Sequence, residues 1–218
     1  MAPPILGYWG ARAVGQPIRL LLEYTETEYE ERRYTTGPDW FSIKFSLGLE
    51  LPNLPYYMDD DVKLTQSATI MRYLGMKHGL SGNTAEDIAK ADMLAEDLTE
   101  FRWDFIKTVY DPRFEELKLP HLERMKTKLP RYEAILKRGD WFLGNEISYV
   151  DFLAYEYLTA HKLYHSESFE SHPRINDFLT RFEDMPRIRN YLNSDKCIDW
   201  PFHAPFAAWG GGPLKSLS

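Results

Sequence analysis

The chain has one cysteine, Cys197, among its 218 residues. An internal disulfide is therefore impossible, as is a Cys-x-x-Cys redox or zinc motif. A reducing cytoplasm is the expected compartment. Cations are in deficit: 26 Lys and Arg stand against 33 Asp and Glu, a formal net charge of -7. Unspecific nucleic-acid binding needs a basic face that displaces counterions, so no nucleic-acid partner is expected, although a local basic pocket is compatible with the total. No apolar run is long enough to span a bilayer, and Met1-Ala2-Pro3-Pro4 lacks the basic-then-apolar order of a signal peptide. No membrane association is expected. Internal repeats and low-complexity tracts are missing too. What is there is 44% hydrophobic and 27% charged residues, the balance of a packed core with a wet surface, over a length that suits two modest domains.

The first third of the chain mixes periods. Ile5-Leu6-Gly7-Tyr8-Trp9 is a short apolar run that predicts a buried strand. A loop from Gly10 to Gly15 follows, and Pro17 suits the first turn of a helix that continues to Tyr24. Tyr29 to Tyr34 predicts a returning strand. After Gly37 and Pro38 a short helical piece is expected from Trp40 to Phe45. Asn53 to Met58 and Val62 to Thr65 predict a hairpin around Asp59-Asp60-Asp61. Ser67 to His78 predicts a helix that stops at Gly79. The order, βαβ then ββα, is that of a thioredoxin-like domain. From about Ala85 only helical spacing remains: Ile88, Ala91, Ala95, Leu98, Phe101, Phe105 and Val109 mark one long helix, Leu122 to Leu136 a second and Val150 to Tyr164 a third. Two shorter helices are expected, at Ile175–Phe182 behind Pro173 and at Pro186–Ser194.

Several residues suit chemistry, each with a plainer reading beside it. Tyr8, at the end of a strand and ahead of a helix, can donate a hydrogen bond to a thiolate and so lower that thiol's pKa; spacing alone favours a core tyrosine with a satisfied hydroxyl. Leu54-Pro55 is a candidate cis peptide that would present the Leu54 backbone to an extended ligand, or a trans proline opening an edge strand. Gln66-Ser67 opens a helix, where free N–H groups bind carboxylate, or where Ser67 is only a cap. His161 and His165 lie four apart at a zinc-compatible spacing, but Lys162 stands where glutamate would be needed and no third ligand is evident, so no metal site is expected. Ser148 and Asp151 read as a capping box that starts a buried helix.

Joined, these segments resemble the cytosolic glutathione transferases, in particular the mu class and its invertebrate relatives. The likeness rests on Ile5-Leu6-Gly7-Tyr8-Trp9, on Ile18-Arg19-Leu20-Leu21-Leu22-Glu23-Tyr24, on Leu47 through Tyr56, on Leu64-Thr65-Gln66-Ser67 with Ile70-Met71-Arg72-Tyr73, and on Tyr110-Asp111-Pro112; it spans nearly the whole chain. It implies the glutathione transferase fold: an α+β thioredoxin-like N-terminal domain over residues 1–82 that binds glutathione, and an all-α C-terminal domain over 88–218 that completes the electrophile site. It implies conjugation of the glutathione thiolate to hydrophobic electrophiles, a detoxification chemistry, by a homodimer with glutathione as co-substrate and no separate cofactor. Tyr8 would hold the sulfur. Trp9, Trp40, Lys44 and Asn53 would hold the glycyl end, Leu54 before cis Pro55 the cysteinyl backbone, and Gln66 and Ser67 the γ-glutamyl end. Val14, Tyr110 and the tail from His203 to Trp209 would line the electrophile pocket.

The chain departs from the pattern in three places. Its loop between Tyr34 and Trp40 is shorter than in typical members, which implies a more open site edge. Glu100 stands where an aspartate usually reaches the glutathione of the other subunit. Leu51 replaces the aromatic key of the dimer. Two other functions share this fold: glutathione-dependent isomerisation of a hydrophobic substrate, and non-catalytic ligand carriage.

Overall fold

The run Ile5–Trp9 forms strand β1 in the computed structural model, which describes residues 2–217. α1 (Gln16–Tyr24) follows with Pro17 in its first turn and buries Ile18, Leu20, Leu21 and Leu22. β2 (Glu30–Tyr34) then returns parallel to β1. α2 (Gly37–Phe41) begins three residues ahead of the expected Trp40, because Thr36 and Asp39 form a capping box: the Thr36 N–H donates to Asp39 Oδ2 at 2.9 Å. β3 (Tyr56–Met58) starts only after the cis Leu54–Pro55 bond, since proline lacks the N–H that a ladder needs. β4 (Lys63–Thr65) completes a sheet of order β2-β1-β3-β4, in which β1 pairs antiparallel with β3 and β3 antiparallel with β4. Gly7 permits this packing: a Cβ there would fall 2.1 Å from the Tyr56 ring. α3 (Ser67–Lys77) ends near Gly79, whose φ of 69° suits a left-handed stop.

The helical region keeps the predicted stripe. α4 (Ala85–Val109) opens on a capping box between Thr84 and Asp87 and buries Ala91, Ala95, Leu98, Phe101, Phe105 and Val109. Ile88, expected on that stripe, is exposed. α5 (Phe114–Leu136) begins two turns before Leu122 and runs through Pro120 and Pro130. Each proline removes one intrahelical donor, so apolar spacing and propensity both understate this helix. α6 (Tyr149–Tyr164) is buried on nearly all sides and starts at the expected box, where the Asp151 carboxylate accepts from Ser148 N–H at 2.8 Å and Ser148 Oγ at 3.0 Å. A 3-10 turn at Ser166–Phe169 leads to α7 (Pro173–Asp184), and α8 (Pro186–Leu192) follows.

The chain divides into two compact units. One holds Met1–Leu74 with Pro186–Pro205 and Gly210–Ser218; in it the Tyr191 hydroxyl of α8 donates to Gln16 Oε1 on α1. The other holds Gly75–Met185 with Phe206–Trp209. No helix among the described residues is long and apolar enough to cross a membrane.

Candidate functional site

Tyr8 lies on β1 opposite Arg33 of β2 and is 7% exposed. Its ring is closely confined. A Cβ at Gly15 would stand 2.3 Å from Tyr8 Cδ1, although Gly15 has an ordinary right-handed helical backbone, so space rather than torsion requires glycine here. The Arg19 guanidinium stands 5.9 Å from the ring centroid, within cation–π range. Arg19 is fully buried and donates to Glu31 Oε1 at 2.5 Å, Ala11 O at 2.8 Å, Trp9 O at 3.2 Å and Gln16 Oε1 at 3.4 Å. Burial, the largest influence, opposes its charge, but Glu31 together with Tyr191 and Tyr29 more than offsets it and the guanidinium is held above its ordinary pKa. Burial likewise pushes the Glu31 carboxyl up, and Arg19 with Arg33 overcomes it and holds that group below the usual carboxylate range. Sequence reasoning missed Arg19 and Gly15 as neighbours of Tyr8. The available signal was a cation inside the apolar run Ile18-Arg19-Leu20-Leu21-Leu22, a residue type rarely buried without a partner.

The remaining residues expected around glutathione fall in four groups. Trp40 is buried in a cluster with Tyr34, Leu49 and Tyr56, stacked on Tyr56 at 6.1 Å, and Trp9 meets Tyr34 edge-on at 6.5 Å. Lys44 follows α2, its ammonium 5.9 Å from the Phe41 ring and 5.4 Å from the Phe45 ring, with no ion pair among the described residues. Asn53 Oδ1 accepts the Leu54 N–H at 2.9 Å. The expectation that this N–H stands open is thereby corrected: a ligand backbone pairing there has to displace the Asn53 side chain. Gln66 takes a φ of 69°, a left-handed conformation that side chains rarely adopt, directly ahead of Ser67 at the start of α3. The first N–H groups of that helix have no intrahelical acceptor and favour an anion.

The residues expected around the electrophile occupy both units. Val14 is half-buried in the loop before α1, and His203 is 5% exposed, its backbone N–H donating to Gly210 O at 2.9 Å. In the helical unit Tyr110 caps the C-terminus of α4 and meets the exposed Phe206 ring edge-on at 5.4 Å. Trp209 packs on Phe105 at 5.1 Å and Tyr164 at 5.6 Å. Leu51 is 68% exposed on a loop that Thr65 Oγ1 holds through Leu51 O at 2.9 Å. Glu100 is exposed on α4 and pairs with Lys128 Nζ at 3.0 Å. His161 stacks on Phe101 at 3.9 Å with Nδ1 against Tyr157 O, while His165 Nδ1 meets Ser168 Oγ.

A family model of the glutathione S-transferase N-terminal domain matches residues 4–76, and one of the C-terminal domain matches residues 99–195. The chain is 42% identical over 214 residues to glutathione S-transferase class-mu 26 kDa isozyme 51 of Fasciola hepatica, covering 96% of this chain and 97% of the relative. It is 41% identical over 214 residues to glutathione S-transferase Mu 1 of Mus musculus, covering 95% and 98%. Among solved structures it resembles the glutathione S-transferase Blo t 8, with a TM-score of 0.89 and 35% identity, covering 94% of this chain and 99% of that one.

Proposed function

The chain belongs to the glutathione S-transferase family, and on that premise we propose that it joins the thiol of glutathione to hydrophobic electrophiles with Tyr8 as the activating residue. The observation that carries the reading is the confinement of the Tyr8 ring between Gly15 and Arg19 on β1. A hydroxyl held in one place donates to a thiolate without first losing rotational freedom, and donation to the anion lowers the thiol pKa. Thiolate is the nucleophile, so the fraction present at neutral pH sets the rate.

Around it we assign the rest of glutathione to residues 1–82. Lys44, free of any intrachain ion pair among the described residues, suits the glycyl carboxylate. Trp9 and Asn53 flank the same end, and Trp40 supports it from the core. The carbonyl of Leu54 before Pro55 suits the cysteinyl N–H. Gln66 and Ser67, at the N-terminus of α3, suit the γ-glutamyl carboxylate; the left-handed backbone at Gln66 supports a binding role, since such conformations persist where function holds them. We assign the electrophile to Val14, Tyr110, His203 and Trp209, with the Tyr110 hydroxyl as a donor to a developing oxyanion.

The protein acts as a cytoplasmic homodimer in this reading and needs no metal or separate cofactor. Leu51 inserts into a second copy, for which a groove of about 290 Å³ between α4 and α5 offers the apolar side chains Met93, Leu94 and Ile135 beside the charged Asp87, Lys90 and Arg138. Glu100 releases Lys128 to meet the γ-glutamyl ammonium bound by the other chain. Turnover of an aryl halide with glutathione, followed by product formation and by net glutathione consumption, tests the reaction. Equal amounts of conjugate formed and glutathione consumed are expected; a hydrophobic prostanoid converted without net glutathione loss, in place of the aryl halide, points to isomerisation, and turnover of neither points to ligand carriage. Tyr8→Phe is expected to lose about ten- to a hundredfold in turnover, the worth of one charge-assisted hydrogen bond, with glutathione affinity kept.

A further inference from the structure

We infer that Arg19 is a positioning residue for Tyr8: its guanidinium, buried against the Tyr8 ring and tied into a cluster with a net positive charge, holds the ring in place and strengthens the hydroxyl as a donor to the thiolate. The inference rests on the reading of Tyr8 as thiol activator. Three observations carry it. The first is geometry. One guanidinium reaches Trp9 O at 3.2 Å and Ala11 O at 2.8 Å, the carbonyls that bracket the chain as it leaves β1 just after Tyr8, and the same group lies 5.9 Å from the Tyr8 ring centroid. A planar fork with five donors can hold both carbonyls and a carboxylate together; a lysine ammonium cannot.

The second observation is charge. Glu31 accepts from Arg19 at 2.5 Å and from Arg33 at 2.8 Å, and all three side chains are at most 7% exposed. Two guanidiniums share one carboxylate, so the cluster carries one net positive charge. An isolated Arg–Glu pair would present the ring with little more than a dipole, whereas this triad presents a cation through a medium that screens poorly. Among the other polar groups around Arg19, Glu23 lies one turn further along α1, half-buried, and accepts from the Tyr29 hydroxyl at 3.2 Å, not from Arg19. Gln16 is neutral, and burial pushes the Tyr29 and Tyr191 hydroxyls well above their ordinary pKa, so both are neutral at physiological pH. The third observation is cost. A guanidinium at 0% exposure inside an apolar helix face gives up its hydration, which its bonds to Glu31, Ala11 O and Trp9 O have to offset. A charge kept there at the ring of the activating tyrosine has a role beyond packing.

The test reads the pKa of enzyme-bound glutathione, from the pH dependence of kcat/KM and from the ultraviolet absorbance of the thiolate. Arg19→Met is expected to raise that pKa by about one unit, about a tenfold loss of rate at neutral pH, and Arg19→Lys by less because the charge stays. Glu31→Gln is the discriminating variant. It removes the compensating anion, so the thiol pKa is expected to fall, whereas a structural staple that fails would raise it. Should Arg19→Met not fold, Arg19→Lys and Glu31→Gln carry the test. A thiol pKa unchanged in the Arg19 variants, or unchanged or raised in Glu31→Gln, overturns the inference. Tyr8→Phe measured beside them separates the two ideas: if it raises the pKa and the charge variants do not move it as expected, only the role of Arg19 falls, and if Tyr8→Phe changes nothing, the reading of Tyr8 itself falls.

Discussion

A methyl group at Gly15 would stand 2.3 Å from Tyr8 Cδ1, closer than real atoms approach. Because Gly15 has right-handed helical torsions, alanine is acceptable to its backbone and the whole penalty falls on the ring. Gly15→Ala is therefore expected to displace Tyr8 rather than unfold the protein, with an overpacking cost of about 1–3 kcal/mol. The expected outcome is a drop in turnover of about tenfold or more while the far-ultraviolet spectrum stays native; unchanged turnover would mean that the ring position does not matter. At this scale Tyr8, Pro55 and Ser67 were legible as candidates, because strand ends, prolines and helix starts can be located from pattern. Their roles were not legible from spacing, since a core tyrosine or an ordinary cap leaves the same trace. Arg19 and Gly15 escaped because each stands against Tyr8 only once the chain has turned from β1 into α1. The bond from the Leu54 N–H to Asn53 depends on a side-chain rotamer that no pattern encodes.

The elements were more legible than their boundaries. Period-3.6 spacing located α4 and α6, and the alternation of strands and helices located the four-stranded sheet, because burial enforces those periods. α5 was found two turns late. Its first half carries Glu115, Glu116, Lys118 and Pro120 in place of a continuous apolar stripe, and a proline reads as a stop even where tertiary packing carries the helix through it. The box that starts α6 was legible from Ser148 and Asp151 alone. Asp151 is fully buried, and burial pushes its pKa up to about 6 against the N–H groups of Phe142 and Ser148 that pull it down. Asp151→Ala would leave the Phe142 N–H, the Ser148 N–H and the Ser148 hydroxyl without their acceptor in a dry interior. A loss of about 3 kcal/mol or more is expected, from chemical denaturation of the variant and the parent. A loss under 1 kcal/mol would show that water or another acceptor takes over.

For the whole molecule, a net charge of -7 and a single cysteine confined the function class, and the thioredoxin-like order of elements directed attention to the end of β1. Neither reveals assembly, because an exposed apolar residue looks the same whether it meets solvent or a second copy. Leu51, 68% exposed on a loop pinned to β4, is the residue that the proposed dimer has to cover. Leu51→Ala would remove most of the apolar surface that the groove receives and is expected to shift sedimentation at micromolar concentration toward monomer, with the fold of each chain retained; a variant that sediments as the parent does would move the interface elsewhere. The central claim, that one tyrosine makes glutathione reactive, is tested most directly by titrating the thiol of bound glutathione in the parent and in Tyr8→Phe, with affinity followed by calorimetry. The account predicts a thiol pKa in the parent below that of free glutathione, a rise of about one to two units in the variant and nearly unchanged affinity. Identical titration curves for the two proteins would contradict it.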